Sequence, residues 1–135
     1  MLSTWTIYDT ITGEIKRIIT CFDSDLSLNI EQGEAYVTGI HDYFTKYFPN
    51  GVETDRPVLP ISFDKTTVTA DGVDKITITN IPSGTKFRCS QLSSQYREVT
   101  VDDGQLELTF EVAGTYKFEI SCFPYLDQEV EINAT

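Results

Sequence analysis

The feature that most constrains this fold is a series of short, strand-like segments in the second half of the sequence. They recur with turn signals roughly every 8 to 12 residues, at 61–63, 66–69, 73–79, 85–89, 96–101, 105–112, 115–122 and 129–132. In 105–112, Leu106, Leu108 and Phe110 alternate with polar residues, as in a strand with one buried face. The series predicts a Greek-key β-sandwich over 61–135.

The first part of the chain also favours strands, and it opens with a hairpin pattern. Two strand-like runs flank a polar connection, 9–13, whose last residue, Gly13, supplies a positive φ at little cost. After a break at 23–25, the segment 26–30 fits either a short strand or a helical turn. The prediction for 1–55 is therefore a small β region that begins with a hairpin.

An aromatic run, 43–48, follows in this region and ends at the turn signal Pro49-Asn50-Gly51. Read as a strand, it places one mixed face opposite one apolar face, with most of the apolar set packed in a core. A docking or carbohydrate-stacking patch is the alternative for its rings. Trp5 has the same two interpretations, core or interface anchor.

The two parts are separated by a segment in which Pro57 and Pro60 remove backbone donors and keep their predecessors extended. The predicted organisation is an N-terminal β region over 1–55, a linker over 56–60 and a sandwich over 61–135. Together these predict an all-β fold.

Charge excludes several classes of partner. The chain carries 21 Asp and Glu against 10 Lys and Arg, a net charge of −11. Such a surface repels phosphate backbones and anionic lipid, so no nucleic-acid or membrane partner is expected. The N-terminal residues lack the pattern of a signal peptide, and no apolar run reaches the roughly 20 residues of a spanning helix. Neither secretion by the general route nor membrane insertion is therefore predicted.

Catalytic and metal-binding patterns are weak. His41 is the single histidine, and its neighbour Asp42 would point to the opposite face of a strand. The acidic pairs 71 with 74 and 102 with 103 lack calcium-loop spacing, and turn formation explains them. Cys21, Cys89 and Cys122 lack zinc-site spacing; buried free thiols are expected, with a Cys89 to Cys122 bridge left open. No catalytic residue, metal or cofactor is predicted.

Two stretches resemble known families. The run from Pro60 to Thr85, with Ala113-Gly114-Thr115-Tyr116 at a late strand, resembles the bacterial immunoglobulin-like repeats of adhesins and phage virion proteins. Near the N-terminus, Trp5-Thr-Ile-Tyr-Asp9 with Thr12-Gly-Glu-Ile15 is similar to small accessory proteins of tailed bacteriophages. These resemblances imply an immunoglobulin-like sandwich and a virion component, on the tail or on the capsid surface.

The expected function is that of a non-enzymatic virion structural protein, assembled in the host cytoplasm and present in multiple symmetric copies held by other virion proteins. The N-terminal region is the expected attachment side because its aromatics are denser. The candidate interface residues are Trp5, Tyr8, Tyr43, Phe44, Tyr47 and Phe48. The alternative is an adhesin-type module that binds host-surface glycan, and a carboxylate hydrolase is the weakest hypothesis.

Overall fold

A computed structural model describes residues 1–91 and 98–135. The chain divides into two compact units, Met1–Pro57 and Val58–Thr135, called here the N-terminal unit and the C-terminal unit. Of the described residues, 47% lie in strands and 8% in helix. The predicted all-β class, with an N-terminal β region followed by an immunoglobulin-like sandwich, is confirmed.

The main sheet of the N-terminal unit has three antiparallel strands in the order β2-β1-β3. They are β1 (Leu2–Asp9), β2 (Ile15–Phe22) and β3 (Glu34–Thr38). β1 and β2 form the expected hairpin. The Asp9 carboxylate accepts hydrogen bonds from the backbone N–H groups of Thr12 and Ile11, at 3.0 and 2.8 Å. These bonds stabilise the charged form, so they lower the pKa of Asp9 and fix the connection between the strands.

Different segments pack on the two faces of this sheet. A 3-10 helix, Asp23–Asn29, buries Leu26 and receives a hydrogen bond from Arg17 at the Asn29 carbonyl. Residues 39–55 lie against the opposite face and include the two-residue strands β4 (Lys46–Tyr47) and β5 (Thr54–Asp55) and a 3-10 turn, Pro49–Gly51. The segment 26–30, left open between strand and helical turn, is thus mostly helical.

An ion pair joins the two edge strands of this sheet. The Arg17 guanidinium of β2 donates to both carboxylate oxygens of Glu34 in β3, at 2.7 and 2.8 Å. The Arg17 hydrogen bonds, together with one from the Glu31 N–H, hold the pKa of Glu34 at about 2. This two-point contact spans β1, and so it fixes both edges relative to the central strand.

The C-terminal unit contains two sheets, one of five strands in the order β10-β9-β12-β13-β7 and one of three in the order β11-β8-β6. β7 runs parallel to β13, and the other pairs are antiparallel. The strands are β6 (Ser62–Phe63), β7 (Thr67–Val68), β8 (Lys75–Thr79), β9 (Thr85–Arg88), β10 (Glu98–Val101), β11 (Leu106–Thr109), β12 (Gly114–Ser121) and β13 (Gln128–Ala134).

One apolar core lies in this unit and takes alternate residues from both sheets. Ile76 and Ile78 of β8 are fully buried, as is Ile120 of β12, while the residues between them face outward or are partly exposed. Burying each such side chain contributes roughly 1.5 to 3 kcal/mol. The other buried apolar members are Leu59, Val68, Ile81, Phe87, Cys89, Val101, Phe110, Phe118, Ile132 and Ala134.

The structure gives bounds for two features predicted from the sequence. Strand β10 begins at Glu98, and the first residues of the predicted run 96–101 lie outside the described residues. The division between the units falls between Pro57 and Val58, inside the predicted linker 56–60. Arg56 is bonded within the N-terminal unit, while Leu59 is buried in the core of the C-terminal unit. Little of the predicted linker is therefore free chain.

Candidate docking site

Two exposed aromatic residues of the N-terminal unit are neighbours in the turn Asp42–Lys46, called here the aromatic turn. Tyr43 and Phe44 are 53% and 59% exposed, and their ring centroids lie 4.1 Å apart at a tilt of 33°. Neighbouring rings of this size present a broad apolar surface at little cost in side-chain entropy. Their exposure makes the pair the strongest candidate for contact with another molecule.

Hydrogen bonds from Asp42 fix the backbone of the aromatic turn. One carboxylate oxygen accepts from the Phe44 N–H at 2.9 Å, and the other accepts from the Thr45 hydroxyl at 3.1 Å. The Asp42 carbonyl accepts from the Lys46 N–H at 2.8 Å. An aspartate that bonds to its own following backbone stabilises a turn over an extended strand.

Arg56 holds the aromatic turn from its second side. Its backbone N–H donates to the Thr45 carbonyl at 2.8 Å. Its guanidinium donates to the carbonyls of Phe44 and Tyr43, at 3.0 and 3.3 Å. The two exposed rings thus project from a backbone that several hydrogen bonds hold in place, which lowers the entropic cost of binding a partner.

The aromatic turn is connected to the sheet by a polar and an apolar contact. The buried Thr6 hydroxyl donates to the Gly39 carbonyl at 2.8 Å and accepts from the His41 N–H at 3.1 Å. Phe48 is 3% exposed and stacks on Tyr8, with ring centroids 4.9 Å apart. These contacts hold both ends of the segment against the sheet.

Gly13 permits the apolar contact. It has φ +80°, and a Cβ there would lie 2.5 Å from the backbone carbon of Phe48. The Phe48 N–H donates to the Gly13 carbonyl at 2.7 Å. Only glycine fits this close approach, so the hairpin loop and the aromatic segment depend on one position.

Charged side chains next to the aromatic turn are paired with one another. Lys46 bonds to Asp55, and this hydrogen bond raises the pKa of Lys46. His41 bonds to Glu53 through one ring nitrogen and lies 3.1 Å from the Thr38 carbonyl through the other. The His41 and Phe48 rings also pack nearly at right angles, with centroids 5.2 Å apart. His41 therefore takes part in fixing the segment, and its ring nitrogens are both engaged.

The structure separates the six predicted interface residues into two groups. Tyr43 and Phe44 are exposed, whereas Tyr8 and Phe48 pack on each other and Tyr47 is half-buried in β4. Trp5 is half-buried, meets the edge of Tyr36 at 5.4 Å, and has an indole N–H with no partner among the described residues. Phe48 is too buried to contact a partner, which corrects that part of the prediction.

The predicted strand over 43–48 is also wrong for its first half. Only Lys46 and Tyr47 are in a strand, because the Asp42 bonds turn the chain before them. Asp42 and Arg56 were not predicted from the sequence to support the site. An Asp three residues before a Thr is a turn signal that the alternation of aromatics obscured.

Other candidate sites are explained by local structure. Asp71 accepts from the backbone N–H groups of Asp74 and Val73, which lowers its pKa, and Asp74 has a lowered pKa because it bonds to Lys65. The three cysteines are free thiols. Within residues 1–91 and 98–135, no group of three or more His, Cys, Asp and Glu side chains could hold a metal ion.

A groove on the five-stranded sheet has a charged lining. Glu119 lies opposite Arg88 on one neighbouring strand and opposite Glu129 on the other. Arg88 also pairs with Glu98 at 3.3 Å, and Lys117 lies 3.9 Å from Glu129. These alternating charges are typical of a sheet face that is exposed to solvent.

Across the described parts of the chain, no helix has the length and apolar character needed to cross a membrane.

Comparisons with known proteins give one distant likeness in structure. No protein-family model matches the chain, and no curated protein matches it. A solved structure of a glycosyl hydrolase family 2 member from Bacteroides cellulosilyticus is similar at 12% identity with a TM-score of 0.38. That match covers 98% of this chain, and the chain spans 22% of the hydrolase.

Proposed function

We propose that this chain is a non-enzymatic structural protein of a bacteriophage virion, which attaches to other virion proteins through the aromatic turn. The observation that carries the proposal is the exposed pair Tyr43 and Phe44 on a turn fixed by Asp42 and Arg56. The resemblance of the Trp5 to Ile15 stretch to phage accessory proteins supplies the context. The C-terminal unit would be displayed outward as a stable module.

The surroundings of the two rings favour a protein partner over a sugar. A glycan site combines ring faces with polar side chains that converge on the sugar hydroxyls. Here the Asp42 carboxylate bonds within the turn, the Arg56 guanidinium bonds to backbone carbonyls, and Asp55 pairs with Lys46. An apolar surface with engaged polar neighbours suits a protein surface that offers apolar side chains.

The direct test is to look for the protein in particles purified from a phage whose genome carries its gene. Mass spectrometry should detect it at a copy number that is a multiple of the particle symmetry. Absence from the particles, in a lysate that contains the protein, would refute the virion assignment. A glycan array tests the alternative: binding that is lost in the Tyr43→Ala variant would favour an adhesin-type module.

A further inference from the structure

Strand β2 is the longest unpaired edge in the described structure. It runs for eight residues, Ile15–Phe22, and no described strand pairs with its outer side. The edge strands of the C-terminal unit, β6, β7, β10 and β11, have two to four residues each. Folded proteins usually keep exposed edges short, because the free N–H and C=O groups of a long edge attract another strand.

The hydrogen-bond pattern shows which backbone groups of β2 face outward. The Asp23 N–H donates to the Met1 carbonyl, so odd-numbered residues of the strand point towards β1. Ile18, Thr20 and Phe22 therefore direct their N–H and C=O groups to the free edge. These three positions form a regular ladder, beyond the irregularity in pairing near Ile15.

Side chains along this edge include exposed apolar residues on one face of the sheet. Ile18 and Phe22 are 37% and 57% exposed, and Leu2, opposite Phe22, is 59% exposed. The Arg17 guanidinium reaches across β1 to Glu34, away from the free edge. The groups that the edge offers to a second strand are therefore the outward N–H and C=O groups and the side chains of Ile18 and Phe22.

We propose that β2 pairs with β2 of a second copy of this chain, antiparallel and with Thr20 on the two-fold axis. Positions 18 and 22 are equally spaced about 20, so Ile18 lies opposite the partner's Phe22. A two-fold axis at Thr20 makes the pair antiparallel, and the two three-stranded sheets join into one of six strands. The interface is separate from the aromatic turn and does not rest on the proposed function.

Thr20→Pro tests the pairing, because it removes an outward N–H, leaves the backbone bonds to β1 intact and loses only the hydrogen bond between the Thr20 and Thr4 hydroxyls. The matched control is Thr38→Pro on β3, where the N–H also faces away from β1. Light scattering on full-length protein, at concentrations on the order of 100 µM for so small an interface, should give twice the 15.2 kDa mass of one chain. Thr20→Pro should give the single mass, and Thr38→Pro should keep the double mass.

A cross-link keeps the test valid if Thr20→Pro fails to fold. In a Cys21→Ser background, Thr20→Cys places two thiols in a pair whose Cα atoms are about 5.5 Å apart, which a disulfide can span. Mild oxidation should give a linked dimer, while Thr38→Cys in the same background should stay unlinked. A wild-type protein of single mass at these concentrations, or equal cross-linking at positions 20 and 38, would overturn the proposal.

Discussion

In the C-terminal unit the core is built from Ile, Val and Phe side chains that two sheets contribute in alternation. In the N-terminal unit, Ile7, Ile15, Leu26 and Phe48 are buried, and polar contacts such as the Arg17–Glu34 pair fix the strands around them. In the C-terminal unit, the edge strands of the two sheets have only two to four residues each. The N-terminal unit has an eight-residue edge strand, and its Phe22, Tyr36, Tyr43 and Phe44 side chains are at least half exposed. The difference is consistent with the proposal that the N-terminal unit makes the contacts with other proteins, while the core of the sandwich accounts for its stability.

The largest effect is expected from a cavity in the sandwich core. Ile78→Ala removes a fully buried side chain that lies in the central strand of the three-stranded sheet. It should lower the free energy of unfolding of the C-terminal unit by about 3 kcal/mol, whereas Val73→Ala, at an 80% exposed position, should change it by less than about 0.5 kcal/mol. Urea titration followed by NMR signals of each unit measures both. Equal effects would contradict the core assignment.

A comparable loss of stability is expected in the N-terminal unit when Gly13 is replaced. Gly13→Ala combines a left-handed φ with a clash against the Phe48 backbone and should cost about 3 kcal/mol. Gly33→Ala shares the conformation, at φ +84°, but meets no atom within 4 Å; it should cost about 1 kcal/mol. The same titration compares them. If Gly33→Ala were the more damaging, the packing of Phe48 against the hairpin loop would be wrong.

The Arg17–Glu34 ion pair is expected to make a contribution to the stability of the fold that changes with pH only under acidic conditions. The pKa of Glu34 falls from 4.5 to about 2 in the folded protein. The stabilising contribution of its charge is therefore complete above pH 4.5 and is lost as the pH falls towards 2. Wild type should be more stable than Glu34→Gln at pH 6, and the gap should narrow steadily below pH 4.5. Thermal unfolding from pH 2 to 7 tests this, and a gap independent of pH would contradict it.

A smaller, local effect is expected at the aromatic turn. Arg56→Ala removes the guanidinium bonds to the Phe44 and Tyr43 carbonyls, which should weaken the turn by about 1 kcal/mol. Hydrogen exchange at the Lys46 amide should then be roughly five times faster. Arg88→Ala, which removes an exposed arginine of the C-terminal unit, is the control. Unchanged exchange in Arg56→Ala would show that Arg56 does not hold the turn.

Much of the fold could be predicted because local patterns and tertiary structure agree. The alternation of Leu106, Leu108 and Phe110, and the glycine at the end of the hairpin loop, required no knowledge of distant contacts. The aromatic turn could not be predicted in this way. A period of two over six residues resembles a strand, but the side chain of Asp42 bonds to the backbone after it and reverses the chain.

The contacts made by Arg56, Arg17 and Glu34 could not be predicted from the sequence for a different reason. Arg56 follows the aromatic run by several residues and lies beside a proline, which is typical of a linker. Its role depends on the β4–β5 pairing, which brings it back to Thr45. Likewise, Arg17 and Glu34 lie on strands separated by β1, and sequence spacing gives no signal for such a pair. Contacts that depend on tertiary folding require the structure.

Attachment is proposed to depend on Tyr43 and Phe44. The most direct measurement is the binding of purified protein to particles from a phage in which the gene has been deleted. Tyr43→Ala with Phe44→Ala should weaken binding at least tenfold, since buried aromatic anchors carry much of the energy of an interface. Ile11→Ala, a 91% exposed apolar residue of the same unit, should bind as wild type does. Wild-type binding by the double variant would contradict the claim.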